Sequence, residues 1–373
     1  MLQKDTRFET RMLGTLTKND QTVTEAYVVD ETVTLDPSSA APYPGSISPA
    51  LKKAVDIGVL CNNASLVRNE DGVYAGQATD VALLNVLDAF GLPDRRSVSL
   101  LFFVGCMSSD AIQSFERLSE RPFNSEQKFM AVSGIHRDVP PSVSLSVNGG
   151  GAREMYYIKG SIEAILDRCR FYYVADDSTP ALDGNTRQVI LSKAHGAASR
   201  GLRVLAMAYG YGCVEPSRPG TPDPPSVAAG TVGVGVAERT NLVFAGFQAM
   251  LDPPRKGVAD SIGLLQSAGV QVVMITGDSE QTALSIGQKL GLRVGRGGGG
   301  EGTSSYCLTG RQIDQMTKGQ LKERVGNVSV FARTTPRHKM AIVEAYQSRG
   351  AVVAMTGDGG GSGFFFLFGK FRS

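Results

Sequence analysis

Apolar and polar positions follow a repeating order of strand and helix between residues 251 and 358. The run VQVVMI is apolar almost throughout, which is typical of a parallel strand that is buried on both faces. The segments NVSVFA and AVVAM have the same character, and the stretches between the strands carry apolar residues at helical spacing. Strand, helix, strand, helix, strand is the order of a doubly wound α/β sheet with right-handed crossovers. This part of the chain is therefore predicted to form such a sheet.

Local end signals predict where the helices of this region begin and end. Asp252, followed by two prolines, predicts the cap and first turn of one helix, and Gly269 predicts its end. A second helix is predicted after Asp278, which we interpret as its cap, and it ends at Gly291.

Two of the predicted strands end in the same tripeptide, Thr276-Gly277-Asp278 and Thr356-Gly357-Asp358. In an open α/β sheet the ligand crevice lies outside the carboxyl ends of the strands, where these loops project. One copy is explained equally well by a turn followed by a helix cap. Two copies after buried strands favour a functional crevice.

Residues 26–240 show a less regular order of strand and helix patterns. EMYYIKG and RVLAMAYG alternate as antiparallel strands do, and VALLNVLDAFG has helical spacing. The segment from Arg96 to Ser108 has no polar period, and either a buried strand or a foreign insertion explains it. We therefore expect an antiparallel sheet with helices in this part of the chain.

Composition excludes several classes of protein. The chain has 373 residues, which suggests two domains or one large one, and 42% of them are apolar, enough to build hydrophobic cores. The net charge of +2 gives no reason to expect a nucleic-acid partner. The five cysteines form no CxxC pair, which is typical of reduced thiols. No apolar run approaches the roughly 20 residues of a membrane span, so we expect a soluble chain without a membrane segment.

Eight motifs occur in the order found in P-type cation-transporting ATPases, and the chain resembles that family from residue 14 to residue 359. The motifs are GTLTKNDQTVTEAYV, GQATDVALLNVL, RPFNSEQKFMAVSG, YYIKGSIEAIL, MLDPPRKGV, VVMITGD, VFARTTPRHKMAIVEAYQ and VVAMTGDG. The second and third most resemble the secretory-pathway, Golgi-type Ca²⁺/Mn²⁺ pumps of fungi.

The resemblance implies a fold and a division into domains. The fold is a haloacid-dehalogenase-like doubly wound parallel sheet, the phosphorylation domain, with an inserted α+β nucleotide-binding domain. Residues 1–25 would supply the first piece of the phosphorylation domain, behind a start that is unlike the family. Residues 26–244 would form the nucleotide-binding domain and 245–363 the rest of the phosphorylation domain. Residues 364–373 would be a tail that is unlike the family.

The family's phosphorylation motif, D-K-T-G-T-L-T, survives only in its second half. Arg11 stands where the family has the aspartate that attacks the γ-phosphate of ATP. The motif T-G-D-G-V-N-D is also incomplete, because Gly361 and Ser362 replace its asparagine and second aspartate. The resemblance therefore implies a phosphorylation domain that cannot form the phosphoenzyme.

The remaining parts of that site are present. The resemblance implies that Thr276 and Gly277 donate hydrogen bonds to phosphoryl oxygens and that Lys339 neutralises the charge developing there. It implies that Asp358 binds Mg²⁺. A guanidinium at Arg11, about 4 Å away, would repel that ion by roughly 4 kcal/mol at an effective dielectric near 20. Metal binding is therefore expected to be weak where Arg11 points into the crevice.

The nucleotide-binding residues are better preserved. The resemblance implies that Phe123 stacks on adenine and that Lys128 and Lys159 approach the ring or the phosphates. Gly160 would allow the adenine to come close, and Arg203 would reach the phosphate chain. Taken singly, each of these residues is also explained as core, surface or an ion pair.

Two readings of function remain open. The chain is either the cytoplasmic headpiece of a calcium-transporting pump, truncated at both ends, or a catalytically inactive nucleotide-binding module with a regulatory role. A free phosphatase of the same fold is disfavoured, since that chemistry also needs the aspartate that Arg11 replaces. ATP and Mg²⁺ are the expected cofactors. Ca²⁺ or Mn²⁺ would bind only to membrane helices outside this chain, and the headpiece would face the cytosol at a Golgi membrane.

Overall fold

The computed structural model describes residues 17–18, 20–36, 42–65, 68–69, 72, 74–96, 115–136, 154–211, 241–294 and 306–354, and the backbone of 355–356 and 365–371. Contacts between residues divide the chain into two compact units. The larger unit comprises Thr22–Leu191 and Val204–Ala249, and the smaller unit comprises Met1–Gln21, Ser192–Arg203 and Met250–Ser373.

The larger unit is built around an eight-stranded, mainly antiparallel sheet in the order β2-β1-β8-β7-β5-β4-β3, with β6 paired to β8. Its strands are β1 (Thr22–Val28), β2 (Glu31–Thr34), β3 (Phe115–Asn124), β4 (Phe129–His136), β5 (Met155–Gly160), β6 (Cys169–Tyr172), β7 (Arg203–Tyr211) and β8 (Leu242–Leu251), of which β7 and β8 have end residues in the smaller unit. Its helices are α1 (Pro49–Leu60), α2 (Ala78–Phe90), α3 (Ile162–Leu166) and the first half of α4 (Gly184–Ser199).

Local sequence explains these elements. The predicted strands EMYYIKG and RVLAMAYG are β5 and β7, and they pair antiparallel as expected. The predicted helix VALLNVLDAFG is α2, which ends at Gly91 with a left-handed φ of 62°. Ser48 caps α1, because its Oγ accepts a hydrogen bond from the Leu51 amide at 3.1 Å. The sequence-based prediction of an antiparallel sheet with helices is confirmed here.

The smaller unit alternates strands and helices from residue 258 onward. Its elements are α5 (Val258–Ser267), β9 (Gln271–Ile275), α6 (Glu280–Lys289), β10 (Cys307–Thr309), α7 (Gly310–Asp314), α8 (Lys318–Arg324), β11 (Val330–Ala332), α9 (Pro336–Ser348), β12 (Ala351–Thr356) and β13 (Phe365–Phe371). The sequence did not predict β10, α7 and α8, which are too short to show a period.

Helices cover both faces of this sheet, which explains its continuous apolar strands. Val272 and Met274 of β9 pack with α5 and α6, whereas Val273 and Ile275 pack with residues of α7, α8 and α9. Phe331 of β11 lies in the second of these cores and is fully buried. Successive strand residues therefore enter opposite cores, as the pleat requires.

The order of the five strands, β10-β11-β9-β13-β12, differs from an all-parallel sheet. β10, β11 and β9 are parallel, but β13 lies between β9 and β12 and is antiparallel to both. β12 keeps the direction of β9 without bonding to it. The expectation of a wholly parallel sheet is wrong at this edge, because the segment regarded as an unrelated tail bonds to the two strands that carry the TGD tripeptides.

Both helix caps predicted in this unit are wrong. α5 begins after Gly257, and the carboxylate of Asp252 instead accepts a hydrogen bond from Thr17 Oγ1 at 2.8 Å. α6 is capped by Ser279, whose Oγ accepts the Thr282 amide at 3.2 Å. The carboxylate of Asp278 bonds to Thr276 and Arg203 and does not cap the helix.

Several predictions concern residues outside the described ones, namely Arg11, Gly357, Asp358 and the segment 97–108. Among the described residues, no helix is long and apolar enough to cross a membrane. The cysteines that the structure describes, Cys61, Cys169 and Cys307, are buried free thiols.

Candidate functional site

A buried ion pair lies in the larger unit between Lys159 of β5 and Asp80 of α2. The ammonium nitrogen of Lys159 is 2.5 Å from Asp80 Oδ1, and the two side chains are only 6% and 8% exposed. The other carboxylate oxygen of Asp80 accepts the backbone N–H of Asn63 at 3.0 Å. Lys159 was predicted as a nucleotide ligand, but its partner was missed, although an acid in the first turn of the GQATD helix was a signal for it.

Three further predicted residues lie at the same end of the sheet as Lys159. Strand register places Phe129 of β4 opposite both Asn124, the last residue of β3, and Gly160, the last residue of β5. Phe123 therefore precedes this end of the sheet by one residue, and Lys128 is in the turn that joins β3 to β4. The structure thus brings Phe123, Lys128, Lys159 and Gly160 together.

The exposure of these residues differs in a way that suits ligand binding. The Phe123 ring is 52% exposed, an unusual position for a large apolar side chain, whereas Lys159 is buried. An exposed aromatic face at the same end of a sheet as a buried ammonium is able to bind a flat, anionic ligand.

Gly160 has a structural reason of its own. Lys128 has a left-handed φ of 59°, and its carbonyl accepts the Ser161 amide at 3.0 Å. A Cβ atom at Gly160 would lie 2.4 Å from that carbonyl oxygen. Only glycine at this position therefore leaves room for the turn that contains Lys128.

Two arginines that the sequence did not single out add positive charge near Phe129. The guanidinium carbons of Arg121 and Arg168 lie 4.9 Å and 4.5 Å from the centroid of the Phe129 ring. Cys61 contributes no charge, since burial raises the pKa of its thiol to about 11. The electrostatics of this end of the sheet therefore favour an anion.

A groove of about 340 Å³ adjoins the ion pair. Asn63, whose amide binds Asp80, is part of its wall. The other walls come from the end of α1 and from β3, and their polar side chains are Asn62, Arg96 and Arg117. The groove thus offers polar side chains next to the Asn63 amide that binds Asp80, but Phe115 and Arg117 lie at the other end of β3 from Phe123, and the predicted nucleotide residues are not part of its wall.

In the smaller unit, the loops after β9 and β11 are bonded to each other. The Thr276 carbonyl accepts hydrogen bonds from the Thr334 amide at 3.0 Å and from Thr334 Oγ1 at 2.9 Å. The Arg333 amide donates to the Asp278 carbonyl at 2.9 Å, and Arg333 has a left-handed φ of 52°. This strained loop fixes the first TGD tripeptide, with Gly277 at its centre.

Asp278 accepts bonds from two groups. Thr276 Oγ1 donates to its Oδ2 at 3.1 Å, and a guanidinium nitrogen of Arg203 lies 3.0 Å from its Oδ1. Arg203 was predicted to bind the phosphate chain of ATP. The structure groups Arg203 with the smaller unit and pairs it with Asp278, and its role at the phosphate chain stays a prediction.

Lys339 lies in the first turn of α9 and is only 6% exposed. Burial lowers the pKa of its ammonium from the ordinary 10.5 to about 8. The amino end of a helix also disfavours a cation. An anion that approaches this buried ammonium would stabilise its charged form. This is the property expected of a phosphoryl-binding residue.

The described residues do not supply a magnesium site. No group of three or more His, Cys, Asp or Glu side chains among them is arranged to hold a metal ion. Mg²⁺ prefers carboxylate oxygens, and the carboxylate of Asp278 is already bonded to Thr276 and Arg203. The predicted ligand, Asp358, lies outside the described residues.

Comparison with known proteins identifies the family. Residues 50–257 match the family described as "P-type ATPase, cytoplasmic domain N". Calcium-transporting ATPase 1 of Yarrowia lipolytica is 35% identical over 360 residues, which cover 93% of this chain and 33% of that protein. Calcium-transporting ATPase 1 of Schizosaccharomyces pombe is 33% identical with the same coverage.

A human relative, calcium-transporting ATPase type 2C member 2, is 33% identical over 93% of this chain and 31% of its own length. The chain therefore spans about a third of the length of the relatives it matches. It belongs to the family of P-type cation-transporting ATPases, and residues 50–257 correspond to the cytoplasmic N domain of that family.

Proposed function

We propose that this chain is the ATP-binding and phosphorylation headpiece of a calcium-transporting P-type ATPase and that the larger unit holds the nucleotide. The observation that carries the proposal is the buried pair of Lys159 and Asp80 within residues 50–257, at the same end of the sheet as the half-exposed Phe123. Asp80 fixes the ammonium while leaving N–H donors for a ligand, since a lysine has three. Phe123 offers its face to the adenine.

We further propose that the smaller unit is the haloacid-dehalogenase-like domain of this family. Bound ATP supplies the phosphoryl group, which Thr276, Gly277 and Lys339 would orient and neutralise. Because Arg11 replaces the aspartate, no acyl phosphate forms on this chain. The described residues do not fit Mg²⁺, so no step is assigned to that ion, and the role of Asp358 stays a prediction.

The proposal also includes ion transport. The relatives' names attribute calcium transport to them, and we propose that the same ion, or Mn²⁺, is moved by the protein to which this headpiece belongs, at a Golgi membrane. The substitution of Arg11 also supports the alternative of a regulatory nucleotide-binding module without phosphorylation.

The nucleotide site is tested by titrating ATP into the chain while amide shifts of residues 120–205 are recorded by NMR. We expect saturable shifts with a dissociation constant on the order of 1 mM. Phe123→Ala should weaken binding roughly tenfold, since stacking contributes about 0.5–1.5 kcal/mol beyond the buried area. Leu118→Ala is a matched control, because Leu118 is on the same strand and is 51% exposed. Absence of shifts at several millimolar ATP, or equal effects of the two variants, would reject the site.

The phosphorylation step is tested with ATP labelled at the γ position. We expect no acid-stable labelled protein from the chain as it stands. A labelled band would contradict the proposed loss of phosphorylation. It would also remove the support for a regulatory module.

A further inference from the structure

The imidazole of His338 connects the first turn of α9 to α7. His338 Nδ1 accepts the backbone N–H of Thr335 at 3.1 Å, and Nε2 lies 3.0 Å from Asp314 Oδ1. Because Nδ1 faces an amide donor, it carries the lone pair, and the ring proton is on Nε2 and is donated to the carboxylate. The residue is 5% exposed. The bonds therefore select one neutral tautomer of this ring.

Two other helices of the same unit use a glutamine at the equivalent position. Gln312 Oε1 accepts the Thr309 amide at 2.8 Å at the start of α7. Gln320 Oε1 accepts the Thr317 amide at 2.9 Å at the start of α8. A side-chain acceptor three residues after the cap is the usual arrangement of a capping box. His338 performs the same bonding in α9 with an imidazole, whose other ring nitrogen bonds Asp314.

Gly310 leaves space for the His338 ring at the start of α7. A Cβ atom at Gly310 would lie 2.7 Å from both Cε1 and Nδ1 of His338 and 2.4 Å from the Arg333 carbonyl oxygen. The glycine at the start of α7 therefore admits the ring, and the strained Arg333 residue lies against the same position. Asp314, at the end of α7, completes the contact.

Lys339 follows His338 directly and shares its anchor. Its amide donates to the Thr335 carbonyl at 3.2 Å, so the residue whose N–H is bound by His338 also closes the first helical turn at Lys339. Both side chains are at least nine-tenths buried. The orientation of the Lys339 ammonium therefore depends on a turn that the His338 ring holds in place.

We propose that His338 is a positioning residue for Lys339: its neutral ring fixes the first turn of α9, and protonation of the ring loosens that turn by removing the acceptor of the Thr335 amide. This inference rests on the proposed role of Lys339 in binding a phosphoryl group. The geometry of the turn itself does not depend on that role.

Protonation changes the bonds in a defined way. Nδ1 becomes a donor that Thr335 Oγ1, 3.2 Å away, is able to accept, so the Thr335 amide loses its acceptor. A second positive charge also appears beside Lys339 at the amino end of a helix. The charged group in contact with the ring is Asp314 from α7, and the charged neighbours of His338 along α9 are Arg337 and Lys339. Arg337 already donates to Asp314 Oδ1 at 2.7 Å. The hydrogen bond from His338 lowers the pKa of Asp314, so this carboxylate stays charged and keeps the ring on α7 while the Thr335 amide loses its acceptor.

The first experiment measures hydrogen-exchange protection of the Thr335 and Lys339 amides in the whole chain at pH 5.5 and 7.5, corrected for intrinsic rates. Protection should fall about fivefold at the lower pH. His338→Gln supplies the acceptor of the other two helices without a titratable group, so its protection should match the unchanged chain at pH 7.5 and show no pH dependence. The Thr309 and Thr317 amides are internal controls and should show none either.

The second experiment measures the rate at which an acylating reagent modifies Lys339 at pH 7.5, relative to Lys318, whose side chain is 97% exposed. His338→Gln should leave the ratio unchanged, and His338→Leu should raise it at least fivefold. If His338→Leu does not fold, the exchange of His338→Gln still decides. A pH dependence that persists in His338→Gln, or none in the unchanged chain, overturns the proposal. Neither readout uses nucleotide, so failure of ATP binding would be detected separately.

Discussion

The buried pair of Lys159 and Asp80 gives the sharpest quantitative prediction. Asp80→Leu removes the negative charge and leaves the ammonium of Lys159 buried opposite an apolar side chain. With side chains 6% and 8% exposed, neither partner is replaced easily by water. Breaking such a pair costs about 3–5 kcal/mol, because the remaining charge is uncompensated. Lys159→Met should cost a similar amount.

The double variant, Asp80→Leu with Lys159→Met, separates the pair from its surroundings. Replacing a whole buried pair by apolar side chains is often neutral. Some loss remains, because the Asn63 amide also gives up its bond to Asp80, and that loss is about 1 kcal/mol. We therefore expect the double variant to be more stable than either single variant by about 2 kcal/mol or more.

Hydrogen exchange of β4 and β5 is the assay, because it reports the larger unit alone. A loss of about 3 kcal/mol corresponds to roughly 150-fold faster exchange of their most protected amides. The exposed Arg170 of β6 provides a control, since Arg170→Met also removes one positive charge from this unit and should change exchange little. If the effects of the two single variants simply add in the double variant, the inferred coupling is absent and the reasoning fails.

Two other predictions concern stability. Because burial lowers the pKa of Lys339 from 10.5 to about 8, the unfolded chain binds more protons between these values, and the stability of the smaller unit should rise with pH through that window by at most about 3 kcal/mol. Urea unfolding of Lys339→Met at pH 7.5 and 10.5 should lack this rise, and identical pH dependence in both proteins would contradict the assignment. Gly160→Ala should destabilise the larger unit by about 2 kcal/mol, because the new Cβ would lie 2.4 Å from the Lys128 carbonyl oxygen. Gly184→Ala, with no atom within 4 Å of the new Cβ, is the control in thermal unfolding, and equal midpoints would refute the clash.

Elements whose pattern lies within their own sequence could be predicted, whereas elements placed by distant residues could not. β9 and β11 are recognisable because helices cover both of their faces and make them apolar throughout. β10, with three residues, has no period to read. The position of β13 depends on two strand edges supplied by distant residues, and no property of its own sequence indicates that it lies between β9 and β12.

The same contrast holds for the candidate site. Lys159 was found through its motif, but its partner Asp80 is 79 positions away, and only the packing of α2 against the sheet brings them together. Thr276 was found from the repeated tripeptide. The partner of Asp278 was not, because Ser279 performs the capping that a sequence pattern assigns to the aspartate.

The interleaving of the two units along the chain matters for folding during synthesis. All strands of the eight-stranded sheet have been made once Leu251 leaves the ribosome, whereas those of the five-stranded sheet begin at Gln271 or later. At about 5–20 residues per second, the edge of β9 that receives β13 waits roughly 5–20 s for its partner. An unpaired apolar strand edge is a template for aggregation. Protection of this nascent edge by chaperones is therefore expected to limit the yield of soluble protein more than the stability of the finished sheet does.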